Sequence, residues 1–318
     1  MEWLEGIRQR LSQNQFARRL ALAAGFGRGA NRMSEQAVRR GEKLKFGVRK
    51  ISWNKGDETI HFPSSFGLAL ISYYLYRMPT FRPRVIFQSI RGRKVADLSG
   101  IARYRLPSGN SLWLPVPAEP IDFFTGYFAK GGPRKGHVVL DAGAYCGETT
   151  LEMAARVGPS GHVYAFEPDP KNLAWLRRNV EESGFSNITV VPKGLWGQTD
   201  TLKFYADETP GSTLVASDGA DAVHRKPMEI DVLSPADAFK LIGRIPDFIK
   251  MDIEGAEVEV VEAMAPLLRG ADVSLAIASY HLRDGRKTCE IITSKLAGAG
   301  LNVETGHEDH LTTWAWKR

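Results

Sequence analysis

The sequence has 318 residues, of which 43% are hydrophobic and 25% charged, and its net charge is +6 at pH 7. This composition is ordinary for a soluble globular protein and leaves room for two domains. The two cysteines, Cys146 and Cys289, are far apart and lack metal-ligand spacing. The cysteines therefore predict neither a disulfide framework nor a zinc site, no metal ligand is predicted, and a reducing cytoplasm is the expected compartment.

The charge is distributed unevenly along the chain. Residues 1–136 carry 24 Lys and Arg against 9 Asp and Glu, a net charge of +15. Residues 137–318 carry 18 against 27, a net charge of −9. A basic half predicts either an acidic partner, such as nucleic acid, anionic lipid or a phosphorylated substrate, or docking on the acidic half of the same chain.

No transmembrane segment is predicted in the N-terminal half. The apolar stretches at 20–27 and 66–78 are shorter than the roughly 20 residues that span a bilayer. Within residues 1–30, apolar side chains recur at helical spacing beside arginines. This pattern predicts a helix that packs on the domain, and it leaves open a peripheral contact with an anionic membrane.

The next segments mark a domain boundary. Residues 101–116 alternate around Pro107-Ser108-Gly109-Asn110 and predict a hairpin, and GGPRKGH at 131–137 is a turn or linker. We predict a basic α+β N-terminal extension at 1–119 and a catalytic domain at 120–318.

Strands and helices alternate regularly through the second domain. Strands are predicted at 138–141, 162–168, 187–197, 246–252 and 272–281, with helices at 148–157, 170–182, 256–270 and 286–300. Extra antiparallel strands are predicted at 201–207 and 228–234, and a closing pair at 301–307 and 311–317. The alternation predicts a doubly wound α/β sheet. The closing pair is typical of the Rossmann-like seven-stranded methyltransferase sheet, whose last strand inserts antiparallel.

A glycine turn locates the ligand site. Residues 138–147, VVLDAGAYCG, form a buried strand and a D-x-G-x-x-x-G turn that opens a helix. A dinucleotide site would need G-x-G-x-x-G, whereas here Ala144, Tyr145 and Cys146 fill the turn. An acid at its start favours a ligand with a cationic, amino-acid-like part, such as S-adenosyl-L-methionine (SAM).

Acidic residues end two other strands at the same edge. Glu167 follows Asp141 by 26 positions and is placed to accept hydrogen bonds from a ribose diol.

Asp252 ends the fourth core strand, where it could orient or deprotonate an acceptor hydroxyl or hold the cationic part of the cofactor. His281, at the fifth strand end, is a candidate general base. Glu254 is a further catalytic candidate, whereas Lys250 is expected to be an ordinary surface cation. The predicted cofactor-binding residues are Asp141, Gly143, Ala144, Tyr145, Gly147, Glu167, Pro168 and Asp252.

These motifs resemble the FkbM family of SAM-dependent methyltransferases. The resemblance rests on VVLDAGAYCGETT, AFEPDP, STL at 212–214 and FIKMDIEGAE, and it covers roughly residues 120–318. It implies a Rossmann-like fold and methyl transfer, usually to a hydroxyl of a sugar, polyketide or related small molecule. It also implies that Asp141, Gly143 and Gly147 hold the methionine part and Glu167 the ribose, with Asp252 facing the methyl group.

Three alternatives remain at this stage. The first is a nucleic-acid methyltransferase that uses the basic half to bind phosphates. The sequence lacks an amine-methylating N/D-P-P-Y motif, a base-attacking cysteine and a complete K-D-K-E set. Nucleic acid is therefore not the expected partner. A non-catalytic SAM-binding module could anchor to an anionic membrane. Metal-assisted O-methylation by Asp252 and Glu254 lacks an evident Asp-Asn partner pair.

Overall fold

The computed structural model describes residues 43–46, 50–63, 78–115, 123–205, 227–283, 285–307 and 310–317. The N-terminal helix predicted within residues 1–30 and the STL motif at 212–214 lie outside this range, as does 66–77 of the apolar stretch. The described residues divide into two compact units at the Ala102–Arg103 junction. The boundary at 119/120 stays a prediction.

The first unit is built on a twisted five-stranded sheet in the order β1-β2-β3-β5-β4 among its described residues. Its elements are Lys43–Phe46 (β1), Lys50–Lys55 (β2), Glu58–Pro63 (β3), Met78–Phe81 (α1), a 3-10 turn at Arg82–Arg84, Gln88–Ile90 (β4) and Arg93–Asp97 (β5). Alternation along β2 and β3 places one apolar face in a core, where Ile51, Trp53, Ile60 and Phe62 are fully buried.

The hairpin predicted at 101–116 forms from Ala102–Arg105 (β6) and Ser111–Leu114 (β7). Hydrogen bonds of Asn179 connect the second strand of this hairpin to the glycine turn. The Asn179 side chain accepts from the Trp113 N–H at 2.7 Å and donates to the Trp113 and Cys146 carbonyls, both at 2.8 Å. One buried amide thus joins the hairpin to the glycine turn.

The second unit contains the predicted alternation of strands and helices. After a 3-10 segment at Phe123–Phe128 come Val138–Ala142 (β8), Glu148–Val157 (α2), His162–Phe166 (β9), Pro170–Ser183 (α3), Ile188–Val191 (β10) and Gly194–Leu195 (β11). Then follow Asp200–Tyr205 (β12), Pro227–Leu233 (β13), Pro235–Ile242 (α4), Phe248–Met251 (β14), Glu257–Met264 (α5) and a 3-10 turn at Ala265–Leu268. The last elements are Ser274–Ala278 (β15), Leu282–Arg283 (β16), Arg286–Lys287 (β17), Cys289–Gly298 (α6), Leu301–Gly306 (β18) and Thr312–Lys317 (β19).

The main sheet has the order β10-β9-β8-β14-β15-β19-β18 in the described chain, with β19 antiparallel to both neighbours. This confirms the Rossmann-like seven-stranded methyltransferase sheet. The inserted strands β12 and β13 pair antiparallel, as predicted, and form a small separate sheet with β11.

Local sequence explains where the helices begin and end. The Asp169 side chain accepts from the N–H groups of Lys171 and Asn172, and Pro170 occupies the first turn of α3. Gly184 ends this helix in the left-handed conformation. Ser234 caps α4 in the same manner through the Asp237 N–H.

The direction of the strands determines where a site can form. Strands β8, β9, β14 and β15 are parallel to one another in register, so their carboxyl ends meet at one edge. No helix in the described part of the chain combines the length and the hydropathy that a membrane span requires.

Candidate active site

The glycine turn packs directly against the end of β14. Gly143 and Ala144 both donate their N–H groups to the Phe166 carbonyl at 3.0 Å. Gly143 has φ of 75°, and a Cβ added there would lie 1.8 Å from the Asp252 carbonyl oxygen. Only glycine fits this close approach, so the turn and Asp252 form one continuous wall of the sheet edge.

Asp141 is enclosed beneath the turn and is fully buried. Its carboxylate accepts from the hydroxyls of Thr149 at 2.9 Å and Thr150 at 2.6 Å, and it pairs with the Lys250 ammonium at 3.2 Å. Asp141 therefore shapes the turn from inside, and any effect on a ligand would pass through the turn.

Lys250 is a correction to the sequence analysis. It is 3% exposed, and its ammonium donates to the Gly143 carbonyl at 2.7 Å. Lys250 lies opposite Asp141 in the register of β8 and β14. A charge inside a sheet buried on both faces needs such a partner, so Lys250 is an internal ion-pair member rather than a surface cation.

Glu167 follows β9 and is 5% exposed. It accepts from the Tyr145 N–H at 2.8 Å and the Asp169 N–H at 3.0 Å, which ties the second strand end to the glycine turn. Burial raises the pKa of Glu167 to about 7, and these N–H donors only partly oppose the rise. Each carboxylate oxygen has two lone pairs, so acceptor capacity remains for a ligand hydroxyl.

The raised pKa of Glu167 predicts a pH-dependent stability. Folded Glu167 holds its proton up to about pH 7 and the unfolded residue only up to about 4.5, so its contribution to stability falls as the pH rises between these values. Between pH 5 and pH 8, the unfolding free energy should fall by up to about 3 kcal/mol more in the wild type than in Glu167→Gln. Urea unfolding at both pH values measures this. Glu262→Gln, at an exposed site, should keep the wild-type dependence, and an unchanged dependence in Glu167→Gln would contradict the prediction.

Asp252 lies at the centre of the sheet edge, with its side chain 22% exposed. Its Oδ2 accepts from the Tyr127 hydroxyl at 2.7 Å and lies 3.8 Å from His310 Nε2. The Tyr127 hydroxyl is itself 3.3 Å from His310 Nε2, and the two rings pack edge to face. Tyr127 and His310 thus hold one side of the Asp252 carboxylate.

His281 occupies the other side of Asp252, among three carboxylates. Its Nε2 lies 3.7 Å from Asp252 Oδ1 and 3.3 Å from Glu254 Oε2, and its Nδ1 lies 3.1 Å from Glu257 Oε1. Glu257 is fully buried. The three residues expected to act on an acceptor, Asp252, Glu254 and His281, therefore lie close together, and Glu257 joins them.

The electrostatics of this cluster are coupled. Burial disfavours a charged His281, but the contacts with Glu254 and Glu257 outweigh it and raise the pKa of His281 to about 11. Burial alone would raise the pKa of Asp252, but the neighbouring His310 and the charge of Lys250 hold that pKa below the usual range. Burial raises the pKa of Glu254. A protonated His281 therefore supplies positive charge beside these carboxylates.

A tight turn fixes Glu254 in this cluster. Glu254 has φ of 57°, a left-handed conformation that is uncommon outside glycine. Arg283 holds the turn by donating to the Gly255 carbonyl at 2.7 Å and forming a two-point ion pair with Glu259 at 2.7 and 3.0 Å.

The structure brings together the residues predicted at the strand ends and adds two that sequence reasoning missed. Ala144 and Gly147 are buried inside the turn, whereas Tyr145 and Pro168 are partly exposed beside Glu167. Tyr127 and His310 were missed because they lie outside the strand ends of the parallel sheet. No motif named in the sequence analysis contains either residue.

A known protein family matches the segment of the chain that contains this site. A family model described as the methyltransferase FkbM domain matches residues 141–300, half of the chain. The chain belongs to the FkbM methyltransferase family. The match runs from Asp141 to the last residue before β18 and includes the carboxyl ends of β8, β9, β14 and β15.

Curated relatives match short segments. A protein-L-isoaspartate O-methyltransferase of Methanothrix thermoacetophila is 41% identical over 58 residues, 18% of this chain and 28% of the relative. A probable cobalt-precorrin-6B C(15)-methyltransferase of Saccharolobus solfataricus is 41% identical over 61 residues, 19% of this chain and 31% of the relative. The chain thus spans less than a third of the length of these two relatives.

Solved structures with similar folds include an FkbM methyltransferase from Methylobacillus flagellatus. It is 23% identical with a TM-score of 0.41, covering 57% of this chain and 43% of that one. Aeropyrum pernix fibrillarin, in complex with natively bound SAM, is 14% identical with a TM-score of 0.39, covering 68% of this chain and 94% of that one.

The cofactor of this methyltransferase domain is SAM, and the residues at the sheet edge fit it. Asp252, Glu254 and Glu257 give the edge a negative charge that suits a sulfonium and an ammonium group and opposes a diphosphate. Glu167 offers a buried carboxylate beside the turn for a ribose diol.

Proposed function

We propose that this chain is a SAM-dependent O-methyltransferase that methylates a hydroxyl of a sugar, glycolipid or other small molecule. The observation that carries the proposal is the backbone contact between the glycine turn and Asp252, because it ties a partly exposed carboxylate to the cofactor turn. The proposal also places the enzyme in the cytoplasm, with its basic residues 1–136 toward an anionic surface.

When bound, SAM supplies a methyl carbon already activated by a sulfonium group. The protein must then align an acceptor oxygen with that carbon and share its proton. Asp252 suits this role because its 22% exposure leaves it within reach of an acceptor, whereas Asp141 is fully buried. In this proposal, Asp252 accepts the hydrogen bond of the acceptor hydroxyl.

Other residues position Asp252. Tyr127 donates to its Oδ2, and His281 and Glu254 border its Oδ1. In the same proposal, Tyr145, Pro168 and Glu167 line the cofactor side, and Gly143, Ala144 and Gly147 give the turn its shape. Because the carboxylate is held from both sides, little reorganisation is needed when an acceptor arrives.

Methyl transfer from labelled SAM into small-molecule, carbohydrate and lipid extracts tests the proposal. We expect label in a small-molecule or lipid product that survives mild alkali, because a methyl ether is stable there and a methyl ester is hydrolysed. Label found only in protein or RNA, or lost on alkaline treatment, would overturn O-methylation of a hydroxyl. An Asp272→Asn variant, exposed and remote from the edge, serves as the matched active control.

A further inference from the structure

The contacts of His281 raise a question that methyl transfer does not answer. Three carboxylates surround one imidazole whose side chain is only 10% exposed. One ligand atom from each of Asp252, Glu254 and His281 lies within 4.8 Å of the other two. The approach of two carboxylates to the same ring nitrogen is unfavourable unless positive charge lies there, either a proton on the ring or a bound metal ion.

Glu257 fixes which nitrogen faces the two carboxylates. Its Oε1 accepts from the Ile253 N–H at 3.0 Å and lies 3.1 Å from His281 Nδ1. A fully buried carboxylate at this distance favours a proton on Nδ1, which leaves the Nε2 lone pair facing Asp252 and Glu254. A histidine oriented through Nδ1 by a buried carboxylate is the usual arrangement behind a metal-ligating Nε2.

A proton on Nε2 would satisfy only part of this arrangement. Glu254 Oε2, at 3.3 Å, is near enough to accept it, but Asp252 Oδ1, at 3.7 Å, is beyond hydrogen-bond distance. Within the described residues, Asp252 Oδ1 is buried and makes no hydrogen bond. A single ion between the three groups would satisfy all of them.

We propose that Asp252, Glu254 and His281 bind a first-row divalent cation through Oδ1, a carboxylate oxygen and Nε2. Two ligands each about 2.1 Å from an ion stand about 3.0 to 3.4 Å apart at octahedral or tetrahedral angles, close to the separations seen here. One imidazole with two carboxylates suits Mn²⁺, Fe²⁺ or Zn²⁺ better than Mg²⁺, which prefers an all-oxygen shell. Glu257 is then a positioning residue for His281.

Manganese binding to the full chain tests this site directly. Protein freed of metal by chelator dialysis is titrated with Mn²⁺, and bound ion is followed by electron paramagnetic resonance and calorimetry. We expect one saturable site whose pulsed spectrum carries nitrogen coupling from the His281 imidazole. His281→Gln should remove that coupling, and both His281→Gln and Glu254→Gln should weaken binding at least 10-fold.

Two further variants distinguish metal binding by an ordered site from nonspecific attraction of Mn²⁺ to negative charge. Glu257→Gln should weaken Mn²⁺ binding by about 10-fold to 100-fold although Glu257 is not a ligand, because it orients His281. Glu262→Gln, an exposed residue of α5 paired with Lys295, should leave binding unchanged. Circular dichroism and the urea unfolding midpoint of each variant confirm that it is folded.

Wild-type protein that binds S-adenosylhomocysteine but shows neither saturable Mn²⁺ binding nor nitrogen coupling would overturn the metal site. Equal Mn²⁺ affinity in the wild type, His281→Gln and Glu254→Gln would also overturn it. Either result leaves the proposed methyl transfer standing, because cofactor binding and labelled-product formation are measured without added metal.

Discussion

Replacing Asp252 by asparagine is expected to lower methyl-transfer turnover by at least about 100-fold, the usual scale for losing a positioned acid–base group. Asparagine has the same shape and keeps an oxygen that can accept from the Tyr127 hydroxyl, so the sheet edge should stay folded. Cofactor affinity should remain within a few-fold of the wild type, because the glycine turn meets the backbone of residue 252 rather than its carboxylate.

Turnover is measured by steady-state kinetics with the identified acceptor. Cofactor affinity is measured by calorimetric titration with S-adenosylhomocysteine. Asp272→Asn removes an exposed carboxylate and should leave both quantities unchanged. Turnover of Asp252→Asn within threefold of the wild type would remove Asp252 from the chemistry. A parallel collapse of cofactor affinity would instead assign it to cofactor binding.

Replacing Gly143 by alanine is expected to have the second large effect. The new Cβ would lie 1.8 Å from the Asp252 carbonyl oxygen, which belongs to the backbone and cannot rotate away. The turn would have to move, and it carries the 2.7 Å contact with Lys250. We expect at least 100-fold weaker binding of S-adenosylhomocysteine together with a lower unfolding free energy.

Gly158→Ala provides a matched control for Gly143→Ala. Gly158 also has a positive φ, 65°, but a Cβ there meets nothing within 4 Å in the described chain. With φ of 65° and ψ of −173°, Gly158 has a backbone conformation that is essentially restricted to glycine. Gly158→Ala should therefore cost only the local backbone strain, about 1–3 kcal/mol, and leave cofactor binding unchanged. If urea unfolding and calorimetry gave the same results for both variants, backbone strain rather than the contact with Asp252 would explain the effect of Gly143→Ala.

The sequence determined the sheet and the position of the cofactor turn. Both depend on local patterns: buried β-branched runs, helix caps such as Asp169, and glycines in a short turn. Parallel strands bring their carboxyl ends to one edge, so the sequence alone places Glu167 and Asp252 together.

Only the tertiary structure decided what surrounds Asp252. Tyr127 lies 125 positions before it, and His310 belongs to the turn before β19, so no local spacing connects them. The burial of Lys250 likewise depends on its register opposite Asp141 in a neighbouring strand. Long-range packing sets such contacts, because a side chain's partners in a folded sheet come from other strands rather than from its own neighbours in sequence.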